Sequence, residues 1–210
     1  MPLKTKICGL KKKIEVETAI KYGAAFCGFI LNYPSSHRHI KNLDQIKFLT
    51  NINNKNTQFV AVLVNPTNYE LEKIKNFNFQ FVQLHGDENL DCIKKIKEKY
   101  KFKIIKTIKI KRKKDILKYK FYEKHVDIIL FDSAGYEKSE AFEHKWLEQI
   151  EKNAPPIMIA GKINEETNLE SISKIADYVD ISGGLETNKE KDLTKIKNFL
   201  LKIYDENKKR

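Results

Sequence analysis

Short apolar runs recur along the whole chain, at 3–8, 26–31, 58–64, 79–84, 103–108, 126–131, 157–160 and 178–182. Most are continuous rather than alternating and are rich in β-branched or aromatic residues, as parallel strands covered by helices are. Between them apolar residues return every three or four positions, so that each set falls on one helical face. The sets are Ile14, Ala19 and Ile20; Leu43, Ile46 and Leu49; Leu71, Ile74 and Phe77; Ile93 and Ile96. They continue with Ile116, Leu117 and Phe121; Trp146, Leu147 and Ile150; Leu169, Ile172 and Ile175; and finally Leu193, Ile196, Phe199, Leu200 and Ile203. Strand and helix thus alternate eight times, and the expected fold is α/β: a single (β/α)8 TIM barrel over residues 1–210, with short loops. A doubly wound open sheet is the other fold this pattern allows. Pro155-Pro156 suits the start of a strand, where a missing N–H costs least.

Composition narrows the class. The 210 residues are 41% hydrophobic, with 12 Phe and 9 Tyr, which excludes disorder as the main state and suffices for a buried core. No stretch of roughly 18 residues lacks charge, so no membrane span is expected. Lys4 and Lys6 lie where a secretory signal would be apolar, and the three cysteines (Cys8, Cys27, Cys92) form no close pair and no zinc spacing. A cytoplasmic, reducing location without disulfides or structural metal follows as the expectation. With 40 Lys+Arg against 28 Asp+Glu the net charge is +12, which invites a nucleic-acid reading. The lysines, however, are spread over almost every amphipathic segment and mixed with Glu and Asp. The densest run, 109–114, comes with no RNA-binding aromatic motif or zinc knuckle. A solvated surface, or a basic funnel around a small anionic substrate, explains the same count. Neither nucleic acid, membrane nor an obligate protein partner is expected.

In a barrel of this kind chemistry sits at the C-terminal strand ends. The first strand ends in Cys8-Gly9, the fourth in Gln83-Leu84-His85-Gly86-Asp87, the sixth in Asp132-Ser133. The seventh ends in Gly161-Lys162 and the eighth in Ser182-Gly183-Gly184. Glycines after the last two strands let backbone N–H groups approach a phosphate, or merely open tight turns. Cys8 taken alone reads as a small buried hydrophobe, as do Cys27 and Cys92. Asp132 ends an apolar run, where a carboxylate must be hydrogen-bonded or serve as an acid or base. His85 is a core histidine, a loop-orienting group or a ligand; no second histidine stands at ligand spacing.

Five segments carry a family likeness when taken in order: Lys6-Ile7-Cys8-Gly9, Gly28-Phe29-Ile30, Ser36-His37-Arg38-His39-Ile40, Val82-Gln83-Leu84-His85-Gly86-Asp87-Glu88 and Val179-Asp180-Ile181-Ser182-Gly183-Gly184-Leu185-Glu186. Together they resemble the phosphoribosylanthranilate isomerases of tryptophan biosynthesis, over nearly the whole chain. The resemblance implies a TIM barrel and an Amadori rearrangement of N-(5'-phosphoribosyl)anthranilate to 1-(2-carboxyphenylamino)-1-deoxyribulose 5-phosphate, with neither metal nor organic cofactor. It implies Cys8 as general base and Asp132 as general acid. Arg38 then falls on the anthranilate side of the anionic phosphosugar, and Gln83 and His85 among the substrate-binding residues. Gly161, Lys162, Ser182, Gly183 and Gly184 fall in the phosphate loops. An acid must open the furanose ring and a base must take the C2' proton. On that reading Asp132 needs a raised pKa and Cys8 a lowered one, with Lys6 or Arg38 able to assist the thiolate.

The sequence departs from the family pattern after the sixth strand, where residues 133–146 hold a single glycine instead of a Gly-Gly-Thr/Ser-Gly stretch. Gly161-Lys162 replaces Gly-Gly, Ser182-Gly183-Gly184 replaces Ser-Ser-Gly, and His37 replaces proline or lysine. The related Amadori isomerase of histidine synthesis is expected to use aspartates after strands one and five, where this chain has Cys8 and Lys106-Thr107. A barrel that has lost activity and a basic RNA-binding protein are the remaining alternatives.

Overall fold

The computed structural model describes residues 2–133 and 142–209. Its parallel strands are β1 (Lys4–Cys8), β2 (Phe26–Ile30), β3 (Gln58–Leu63), β4 (Phe81–Leu84), β5 (Lys103–Ile110), β6 (Ile128–Ser133), β7 (Ile157–Ile159) and β8 (Tyr178–Ile181). They hydrogen-bond in chain order, and β8 pairs back onto β1, with Ile7 opposite Ile181. Closure excludes the open sheet and leaves the barrel no unpaired edge. Around it run α1 (Lys13–Lys21), α2 (Leu43–Thr50), α3 (Asn68–Ile74), α4 (Leu90–Tyr100), α5 (Leu169–Ser173) and α6 (Leu193–Lys208). Side-chain oxygens of Asn42, Thr67, Asn89, Asn168 and Asp192 accept first-turn N–H groups of α2 to α6, which fixes where those helices begin. Asn207 ties the end of α6 to β1 by paired bonds of 2.8 and 2.9 Å with the Leu3 backbone. Among the described residues no helix is long and apolar enough to cross a membrane.

Two connections differ from the sequence expectation. The segments Lys113–Phe121 and His144–Gln149 are 3₁₀ rather than α-helical. A three-residue turn stacks positions three apart. Tyr119 therefore follows Ile116 into the core, both 0% exposed, while Leu117 and Phe121 face outward at 46% and 70%. Asp115 starts this segment by accepting the N–H groups of Lys111 and Arg112. Ile14 also lies outside its expected face, because α1 turns Val16, Ala19 and Ile20 to the barrel. The altered loop after β6 lies, at 134–141, outside the described residues.

The larger apolar cluster fills the space between strands and helices, and a smaller one fills the barrel. Strand periodicity and register sort the inward side chains into layers from alternate strands. The floor is Phe26, Phe81, Ile128 and Tyr178, with Phe26 edge-on to both Phe81 and Tyr178 at 5.3 Å. Each such aromatic pair contributes about 0.5–1.5 kcal/mol beyond its buried area. Above the floor come Lys6, Val60, Ile105 and Met158, then Gly28, Gln83, Leu130 and Asp180, then Cys8, Val62, Thr107 and Ala160. Ile30, His85, Asp132 and Ser182 stand at the mouth. The interior is thus apolar below and increasingly polar toward the C-terminal ends.

Candidate active site

A cavity of about 950 Å³ opens at that polar end. Cys8, Arg38, Gln83, His85, Asp132, Gly161, Lys162, Ser182, Gly183 and Gly184, the residues singled out from sequence, all line it. Among the described residues no group of histidines, cysteines and carboxylates is arranged to hold a metal ion.

Cys8 ends β1 and is 7% exposed. Two residues earlier on the same face, Lys6 is fully buried and pairs with Asp180 of β8 at 3.0 and 3.1 Å. The Lys6 ammonium also lies close enough to the Cys8 sulfur to favour its ionised form. Gly28 leaves room for this meeting, since a Cβ there would stand tightly at 3.1 Å from Lys6 Nζ and 3.2 Å from Cys8 Sγ. Burial works against the Lys6 charge, but Asp180 and Cys8 outweigh it and hold the ammonium above its ordinary value. The thiol behaves otherwise than expected. Burial pushes Cys8 up, and the pull of Lys6 and Lys191 only partly offsets burial and the Asp180 carboxylate. At neutral pH Cys8 is therefore a thiol, not a thiolate.

Asp132 lies across the mouth at the end of β6, in register with Lys109 of β5. Burial, reinforced by Asp180, pushes its carboxyl up to about 7, so it holds a proton near neutrality as the chemistry requires. His85 Nε2 stands 3.6 Å from Asp132 Oδ2. Burial and the charges of Lys109, Lys6 and Lys106 push the imidazole down to about 4, leaving it neutral. The Gln83 amide nitrogen lies 3.3 Å from His85 Nδ1 and 3.3 Å from Thr107 Oγ1. When the amide donates to Nδ1, the neutral ring carries its hydrogen on Nε2, facing Asp132.

A third cluster gathers around Glu186. Its carboxylate takes a two-pronged contact from Arg38 (Nε 2.6 Å, Nη2 2.8 Å), and His37 Nε2 and Lys191 Nζ approach it at 3.0 and 2.7 Å. Burial would raise its pKa, but Arg38 and Lys191 overcome that and hold it at about 2. Glu186 therefore orders the loop and aims Arg38. Glu186–Thr187 and Glu190–Lys191 form a two-stranded hairpin (β9, β10) whose turn residues Asn188 and Lys189 both have positive φ, 53° and 63°. This is the type I′ geometry that matches strand twist, and it brings Lys189 to the cavity rim.

The two glycine loops pack on each other. Gly161 has φ +94°, and a Cβ there would collide with Ser133 Oγ. A Cβ on Gly184 would collide with the Ile163 carbonyl and stand 2.9 Å from Asn164 Cα. The Ser182 hydroxyl donates to the Cys8 carbonyl at 3.0 Å, which ties the eighth loop to the first. Sequence reasoning overlooked Asp180, Lys191 and the hub role of Glu186. Asp180 had a readable signal, a carboxylate at an inward position of an otherwise apolar strand, opposite Lys6 at the equivalent place in β1.

Comparison with known proteins agrees with this architecture. Residues 5–202 match the family model described as N-(5'phosphoribosyl)anthranilate (PRA) isomerase. The N-(5'-phosphoribosyl)anthranilate isomerase of Thermoanaerobacter pseudethanolicus is 35% identical over 208 residues, covering 96% of this chain and 98% of that protein. The crystal structure of phosphoribosyl anthranilate isomerase from Thermotoga maritima superposes with a TM-score of 0.86 at 24% identity, covering 97% of this chain and 99% of that one. A phosphoribosyl anthranilate isomerase in complex with reduced 1-(o-carboxyphenylamino)-1-deoxyribulose 5-phosphate gives 0.84, also at 24% identity and with the same coverage.

Proposed function

The chain belongs to the N-(5'-phosphoribosyl)anthranilate isomerase family, and from that premise we propose that Asp132 is its general acid and Cys8 its general base. It is an isomerase of tryptophan biosynthesis, and the residue roles follow from what the rearrangement demands. Asp132 donates its proton to the furanose ring oxygen, the bond from C1' to that oxygen breaks, and the nitrogen lone pair forms the iminium. His85, with hydrogen on Nε2, stands ready to stabilise the carboxylate left behind. Cys8, in the minor fraction that is ionised while Asp132 holds its proton, then takes the proton from C2' as a thiolate. The electrons of that C–H bond form the C1'–C2' double bond and neutralise the iminium, and the resulting enol tautomerises to the ketone. Lys6, close to the sulfur and anchored on Asp180, stabilises the thiolate that accepts the proton. The single observation that carries the assignment is the pairing of a carboxyl that burial keeps protonated with a thiol beside a buried ammonium, in one cavity.

The substrate is an anionic phosphosugar. Its phosphate belongs at the Gly161-Lys162 and Ser182-Gly183-Gly184 loops, which line the cavity and whose glycines let backbone N–H groups approach a ligand. Arg38, held in one orientation by Glu186, faces the anthranilate carboxylate, and Gln83 acts by fixing the His85 ring. The bound product-like molecule of the related enzyme has the same phosphate and carboxylate groups.

Following the loss of anthranilate fluorescence from freshly made substrate tests the roles directly. Cys8→Ala and Asp132→Asn should each reduce turnover by about 10²–10⁴-fold, and prior dialysis against a chelator should leave the wild type unchanged. Near-normal turnover in either variant removes that residue from its role.

A further inference from the structure

We propose that Glu88 and Lys106 are a positioning pair that holds His85 against Asp132, acting through the backbone of Gly86. The inference rests on the roles given above to Asp132 and His85. Lys106 lies on β5 but points out of the barrel, and neither it nor Glu88 lines the cavity. Their side chains are 2% and 1% exposed and meet at 2.7 Å. Glu88 Oε1 accepts the N–H groups of Gly86 and Asn65, at 2.9 and 2.8 Å. Lys106 Nζ donates a second bond, 2.8 Å, to the Gly86 carbonyl. One ion pair therefore grips both polar groups of the residue that directly follows His85. The N–H of His85 itself is held by the Leu63 carbonyl at 2.8 Å. The grip requires glycine, because a Cβ at position 86 would collide with the Asn65 side chain and stand 2.7 Å from Glu88 Oε1.

Stability alone is a poor reason for such a pair. Two charges buried against each other are commonly no better than apolar side chains of similar volume. What the pair supplies is rigidity on the carboxyl side of His85, close to the fraction of an ångström within which a catalytic contact must be held. With His85 Nε2 already 3.6 Å from Asp132, a small slip of the loop removes the contact.

The test is a double-mutant cycle on Glu88→Gln and His85→Ala, with kcat, KM and thermal melting read for each. Glutamine keeps an oxygen for the two backbone N–H groups but turns an amide N–H toward the Lys106 ammonium, so only the pair is broken. Expected is a loss in kcat of about tenfold with KM changed less than about twofold, and almost no further loss when His85 is already alanine. Equal losses in both backgrounds would mean that the pair merely supports the fold, and would overturn the inference. If His85→Ala is itself harmless while Asp132→Asn is not, the assisting role of His85 fails and this inference fails with it. Should Glu88→Gln not fold, Glu88→Leu combined with Lys106→Met replaces the pair by apolar contacts and is judged by the same dependence on His85.

Discussion

At Asp132 and Cys8 burial acts in the same direction and gives opposite chemical readiness: a carboxyl that keeps its proton and a thiol that keeps its own. The productive state, carboxylic acid with thiolate, is then a minor form of the singly protonated pair. The rate is flat between the two pKa values and falls on either side. The limb near pH 7 accordingly belongs to Asp132, the acid, and the higher limb to Cys8. In Asp132→Asn the limb near 7 should vanish, and the residual kcat/KM should keep rising through neutrality toward the Cys8 pKa. A limb unchanged near 7 would assign it to another group. The same shift bears on stability. Raised from 3.8 to about 7, the folded carboxyl binds a proton that the unfolded chain releases, so stability falls as pH rises through that window. The full shift corresponds to at most about 4 kcal/mol. Asp132→Asn should therefore stabilise the protein by roughly 2–4 kcal/mol at about pH 8 and by almost nothing at about pH 4, as urea melts at the two pH values would report.

Among the elements, the eight barrel strands were legible because each apolar run is short, continuous and followed by a polar end, as in the Leu130-Phe131-Asp132 passage, whereas the short hairpin strands β9 and β10 carry no apolar run. Helix type was less so. Ile116, Leu117 and Phe121 fit an α-helical face, but the chain there turns every three residues and selects Tyr119 instead, a choice made by packing on β5 and not by propensity. The site showed the same division. Residues that end strands could be picked out by position, whereas Glu186 gains its meaning only when the hairpin folds it onto Arg38 and Lys191, partners 148 and 5 residues away. The seventh and eighth loops depend on one contact that sequence gave no means of seeing, the backbone of Gly184 against Ile163. Gly184→Ala should push these loops apart. KM is expected to rise about tenfold or more, with kcat reduced less and stability lowered by about 1–3 kcal/mol, the range for overpacking. Steady-state kinetics with a melting curve decide it, and an unchanged KM would place the phosphate elsewhere.

For the molecule as a whole, the excess of 12 positive charges is spread too evenly to mark a groove for nucleic acid, yet it is not neutral toward the substrate. At the mouth the carboxylates are engaged: Asp180 by Lys6, Glu186 by Arg38 and Lys191, while Asp132 is half protonated near pH 7. Lys162 and Lys189 stand at the rim on the two loops that would receive the phosphate, each at a positive φ that lysine adopts at some cost. The field at the entrance is thus positive, and a substrate bearing phosphate and carboxylate is drawn toward it. Capture, not chemistry, is the step this field accelerates. Raising the ionic strength from about 20 mM to about 500 mM shortens the screening distance from roughly 20 Å to under about 5 Å. It should lower kcat/KM several-fold and leave kcat unchanged. Lys189→Ala should lower kcat/KM at low salt and flatten its salt dependence, again without touching kcat. If kcat/KM ignores salt in both proteins, the lysines serve only to solvate the surface. If kcat falls instead, salt is acting on the buried pairs that hold the acid and the base.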